Sequence, residues 1–88
     1  MTFVAFSDST EKVLPELTPS ERRAVNTVRS QLEAQPRLGK RRPGYDPKAE
    51  DYVVRLGEEQ TGGRTISVLY RFHPSMDAAL VTWLVIGP

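Results

Sequence analysis

At 88 residues the chain has room for one small domain of two or three packed layers, and with 39% hydrophobic and 26% charged residues it sits among ordinary globular proteins. It contains no cysteine, which excludes disulfides, thiolate zinc sites and cysteine nucleophiles and is compatible with a reducing cytoplasm. No apolar run reaches the roughly 18 residues of a membrane span, and the start MTFVAFSDS has no basic n-region, long h-region or cleavage site, so one cytoplasmic domain over residues 1–88 is expected, with no membrane partner.

The formal net charge of +1 hides an asymmetry. Residues 1–36 carry four basic against five acidic side chains, whereas residues 37–71 carry eight against five. Four of those cations, Arg37, Lys40, Arg41 and Arg42, fall within the stretch RLGKRRPGY. A local excess of this size supports a phosphate-binding face only weakly by itself.

Residues 2–6 (TFVAF) read as a short strand, followed by turn and capping oxygens on Ser7, Asp8 and Ser9. Val13, Leu14 and Leu17 recur at helical spacing after Thr10, but Pro15 lacks an N–H and limits this first helix to about two turns. The sequence TPSE sets Thr18 as N-cap, Pro19 at the first helical position and Glu21 as the reciprocal partner of a capping box. An apolar stripe of Ala24, Val25, Val28 and Leu32 then predicts one amphipathic helix ending before Pro36.

Residues 36–49 hold three prolines, two glycines and the basic cluster without an apolar period, and read as an extended connector. Tyr52, Val54 and Leu56 alternate with Val53 and Arg55, and Ile66, Val68, Tyr70 and Phe72 alternate with Ser67, Leu69 and Arg71, which predicts two strands around a Gly62-Gly63 hairpin loop. After the turn HPSMD, residues 79–86 (ALVTWLVI) are apolar on both parities, as in a strand that is central or buried on both sides. The order is β-α-α-β-β-β: an α+β domain with a four-stranded, largely antiparallel sheet and a helical hairpin on one face.

In that order the chain resembles the RelE/ParE superfamily of toxins from bacterial type II toxin–antitoxin systems. The likeness spans about residues 3–87 and rests on the opening strand with two short helices, on LEAQP followed by RLG, on DYVVRL, and on ISVLYRF. It implies an antitoxin that wraps around the chain. It further implies either metal-independent mRNA cleavage on the ribosome, as in the RelE branch, or inhibition of DNA gyrase without nuclease chemistry, as in the ParE branch. Carried over by position, Arg55 matches a basic strand residue of the RelE-type site and Tyr52 a tyrosine just ahead of it. Val53 stands where a second lysine is common, and Ser67 where the family places an arginine. The tail that gives RelE-type nucleases a further arginine and a tyrosine has no counterpart before Pro88.

Cleaving RNA without a metal requires a base for the 2′-hydroxyl, an acid for the leaving oxygen and cations for the phosphorane. Strand parity places Arg55 and Arg71 on one face as candidate catalytic cations; the competing reading pairs them with Glu58 or Asp51 across strands. His73, the only histidine, suits proton transfer but also a solvated turn. Lys40, Arg41, Arg42, Tyr45 and Arg64 are the candidate RNA-binding set, against a solvated loop or a dock for an acidic antitoxin segment. Gly62-Gly63 lacks the Lys-Ser and helix start of a phosphate-binding loop, and Trp83 reads as core or interface. No His/Asp/Glu grouping has metal-ligand spacing, so no cofactor is expected. The expected function is a RelE-like endoribonuclease toxin; the alternative is a ParE-like or degenerate member acting only by protein binding, and a weaker third is a β-sheet interaction module unrelated to toxins.

Overall fold

Alternating apolar and polar residues demand a sheet covered on one face. In the computed structural model, which describes residues 1–87, that sheet has five strands: β1 (Phe3–Phe6), β2 (Lys40–Arg42), β3 (Glu50–Leu56), β4 (Ile66–His73) and β5 (Ala78–Ile86). Their spatial order is β1-β5-β4-β3-β2, with β1 parallel to β5 and every other pairing antiparallel. Helices α1 (Asp8–Val13) and α2 (Pro19–Ala34) lie between β1 and β2 in the chain and α2 covers one face of the sheet. The α+β class holds, with one strand more than the four expected.

The added strand is β2, three consecutive cations in the segment read as a connector. It pairs antiparallel with β3, Lys40 opposite Val53 and Arg42 opposite Asp51, while all three side chains stay exposed. No apolar alternation marks such a strand, because it buries nothing.

The helix boundaries follow their capping chemistry. Thr18 Oγ1 accepts from Glu21 N (3.2 Å) and Glu21 Oε1 accepts from Thr18 N (2.9 Å), the reciprocal box the sequence announced. Helix α1 starts at Asp8 under a Ser7 cap, and at Leu14 the chain tightens into a 3-10 turn carrying Pro15. The loop after β3 holds a short helix, α3 (Glu58–Thr61), which the sequence did not reveal; Gly62 closes it at φ +69°, a left-handed conformation that glycine takes without Cβ strain.

Val25, Val28 and Leu32 of α2 pack onto Tyr52, Leu56, Ile66, Val68, Tyr70, Phe72, Val81 and Leu84 in a single core. Tyr52 and Tyr70 stack at 5.3 Å between ring centres. The Tyr70 hydroxyl reaches the connector at the core's edge, donating to Pro36 O (2.8 Å) and accepting from Gly39 N (3.0 Å). A Cβ on Gly39 would sit 2.8 Å from Val53 O, so glycine is what lets β2 approach β3 here.

Strand β5 is central, as one of the two readings had it, but it is not covered on both sides. Ala79 and Val81 point into the core, then Leu84 does, three positions on instead of two. The cause is a bulge: Leu69 pairs with Trp83 but Tyr70 with Val81, so Thr82 is an extra residue. The inward parity changes there. Leu80 before the bulge and Trp83 and Val85 after it are the side chains left exposed on the helix-free face.

Candidate nucleic-acid interface

Strand register decides which side chains share the helix-free face. One row across the sheet reads Arg55, Ser67, Val85; the next reads Lys40, Val53, Leu69, Trp83; a third reads Arg42, Asp51, Arg71, Leu80. Lys40, Arg41, Arg42, Pro43, Val53, Arg55, Ser67, Leu69 and Val85 line an open groove of about 340 Å³ over the first two rows. Arg41 leans away over the Tyr52 ring (5.7 Å to its centre) and lies 3.9 Å from Glu50. Lys40, Arg42 and Arg55 make no ion pair among the described residues. Three cations without a carboxylate partner among the described residues thus border an open groove, with the Ser67 hydroxyl beside them, a charge arrangement that suits an anion.

The remaining candidates lie elsewhere. Arg71 is four residues along β4 from Ser67, about 13 Å away, and its Nε donates to Asp51 Oδ1 at 2.8 Å, the cross-strand pairing that competed with a catalytic role. His73 is six residues from Ser67, about 20 Å, and lines a separate shallow apolar pocket with Phe3, Met76 and Leu80. The structure therefore does not bring Arg55, Arg71 and His73 to one phosphate. Tyr45 is 93% exposed in the loop between β2 and β3. Arg64 binds Glu21 of α2 through Nε (3.1 Å) and Nη2 (2.9 Å), at the helix-covered side of the sheet rather than in the groove.

Two carboxylates hold the framework behind the groove. Glu21 is 1% exposed and accepts from the Arg64 guanidinium, from Thr18 N and from Arg64 N, and these bonds keep its carboxyl far below the usual range. Glu50 accepts from Arg37 (2.9 and 3.2 Å) and from the Tyr52 hydroxyl (2.6 Å), and the Arg37 bonds first, then Tyr52, lower it from 4.5 to about 2. Burial raises the Tyr52 phenol in turn. Both carboxylates titrate lower folded than unfolded, so the folded state binds fewer protons and these contacts stabilise fully above the unfolded value and fade as pH falls through the folded one. Urea midpoints are therefore expected to drop between pH 4.5 and about 2, and Glu50→Gln flattens that drop. An unchanged pH profile in that variant contradicts the assignment.

Among the described residues no cluster of three or more His, Asp or Glu could hold a metal ion, and no helix is long and apolar enough to cross a membrane.

The fold and this face define a class: a RelE-like α+β domain whose helix-free sheet surface is basic at one end. Among solved structures it is similar to a chain of the archaeal RelE–RelB complex from Pyrococcus horikoshii OT3, with a TM-score of 0.80 and 21% identity over 98% of this chain and 96% of that one. It is also similar to the isolated E. coli RelE toxin (TM-score 0.74, 15% identity, 100% and 86% covered) and to a chain of the intact E. coli RelBE toxin–antitoxin complex (0.72, 14%, 96% and 94%). No family model and no curated protein matches the sequence. The resemblance to the RelE/ParE superfamily thus holds at the level of the fold.

Proposed function

We propose that this chain is the toxin of a type II toxin–antitoxin system, of RelE type, and that its groove holds the phosphate backbone of mRNA on the ribosome. The observation that carries the reading is the set Lys40, Arg42 and Arg55, unpaired among the described residues and facing one groove of a fold shared with RelE toxins. Arg55 is the group proposed to stabilise the phosphorane, with Ser67 beside it in the same row. Among the described residues the lining holds no carboxylate or imidazole, so ammonium and guanidinium groups would carry that charge. The RelB-containing complexes of the similar structures support a cognate antitoxin as partner.

The same lining favours a second reading, in which the chain binds without cleaving, as a ParE-like or degenerate member acting on gyrase or its antitoxin. Among the described residues Lys40 is the one ordinary proton carrier lining the groove, and His73 and Arg71 lie far along β4 from it. Primer extension on mRNA from translating ribosomes, with and without the purified chain, separates the two. New 5′ ends in the mRNA are expected. Intact mRNA together with growth arrest on expression removes the enzyme and leaves the binding protein.

A further inference from the structure

Trp83 is the only tryptophan, and it is 48% exposed although it lies in the middle of the most apolar strand. It owes that position to the bulge. In an unbroken strand the parity of Ala79 and Val81 would have carried Trp83 into the core; Thr82, inserted between Val81 and Trp83, turns the indole to the helix-free face. The bulge is supported rather than loose. Thr82 Oγ1 donates to Leu69 O (3.3 Å), the Thr82 carbonyl accepts from Ser7 Oγ (3.1 Å), and the Val81 carbonyl accepts from Thr10 Oγ1 (3.1 Å) and from Ser7 N (2.9 Å). The cap of α1 thus fixes the backbone that aims the indole.

On that face Trp83 pairs with Leu69, which lines the groove, and Val85, two residues on, lines it as well. Two strands and two residues separate Trp83 from Arg55, about 12 Å between Cα atoms, which a guanidinium and an indole close to the span of one nucleotide. We infer that Trp83, with Leu69 and Val85, is the base-stacking platform of the groove and takes a nucleobase of a single strand whose phosphate lies on Arg55 and Lys40. This rests on the reading of the groove as an RNA site. Charge selects the occupant: an apolar floor edged by three cations that are unpaired among the described residues fits a chain of flat bases and phosphates.

Because there is one indole, its fluorescence reports on this site alone. Titration with a six-nucleotide single-stranded RNA is expected to quench Trp83 and shield it from acrylamide. By fluorescence anisotropy of labelled RNA, Trp83→Leu weakens binding by about 5- to 150-fold with an unchanged salt slope, because stacking releases no counterions, and Trp83→Phe recovers most of the affinity. RNA that binds the wild-type chain while the indole stays unquenched and open to acrylamide overturns the inference, as does equal affinity of Trp83→Leu; the face then belongs to a protein partner. If Trp83→Leu does not fold, the wild-type quenching decides. Absence of any RNA binding by the wild-type chain refutes the groove reading, a different failure from binding that leaves Trp83 untouched.

Discussion

Replacing Lys40, Arg42 and Arg55 together by alanine abolishes measurable binding of single-stranded RNA and leaves thermal unfolding where it was. The expectation follows from their surroundings: none of the three has a carboxylate partner among the described residues, so removing them strands no buried charge and breaks no ion pair. Three phosphate contacts on a single strand predict a slope of log K against log salt of about −2, and each cation removed reduces it by about 0.7. Arg55→Ala alone should weaken binding by about tenfold or more, since a hydrogen bond to a charged group is worth about 1.5–3 kcal/mol. Arg55→Lys should recover the salt slope but only part of the affinity, because an ammonium cannot grip a phosphate with a fork. Measured slopes that do not respond to these substitutions would remove the groove from nucleic-acid binding, and Arg64→Ala serves as the contrasting cation, engaged by Glu21 on the far side of the sheet.

Tyr70→Phe has the next largest effect, and it acts at a distance. The hydroxyl joins β4 to the connector at both Pro36 O and Gly39 N, so deleting one oxygen leaves an acceptor and a donor without their partner. A loss of about 1–3 kcal/mol is expected, which in a domain of this size lowers the melting temperature by about 4–8 °C per kcal/mol. The functional part is the sharper test. Gly39 leads directly into β2, so loosening it lets Lys40 and Arg42 drift from their register against Val53 and Asp51. RNA affinity should therefore fall although Tyr70 is buried on the opposite face of the sheet. Hydrogen exchange at the β2 amides measures the cause directly: exchange there is expected to speed up by more than the increase that the lower global stability brings to β4 and β5, and an equal increase in all strands contradicts a local strap.

What could be read from the sequence depended on whether a residue's role is local. The capping box at Thr18 and Glu21 is a matter of neighbours three apart, and it appears in the structure with both bonds formed. The alternation of Ile66, Val68, Tyr70 and Phe72 likewise gave a strand and its inner face. Strand β2 was hidden because exposed cations held by backbone pairing leave no periodic trace. The bulge was hidden for another reason: ALVTWLVI is apolar on both parities, so pattern alone cannot say where the inward phase changes, and the parity of Trp83 depends on one inserted residue. The site candidates shared this limit. Parity correctly put Arg55 and Arg71 on one face, but two residues on one face can be a groove's length apart, and only the register showed Arg55 with Lys40 and Arg71 with Asp51.

Strand β2 is the outermost strand of the sheet, and its free edge carries backbone groups able to pair with any other extended chain. Three successive cations charge that edge and disfavour the pairing of two copies along it. The residues proposed to attract a polyanion are thus also the ones that keep the chain from adding to itself. Loss of these charges would weaken the proposed hold on a polyanion and at the same time leave the edge more open to pairing with another strand.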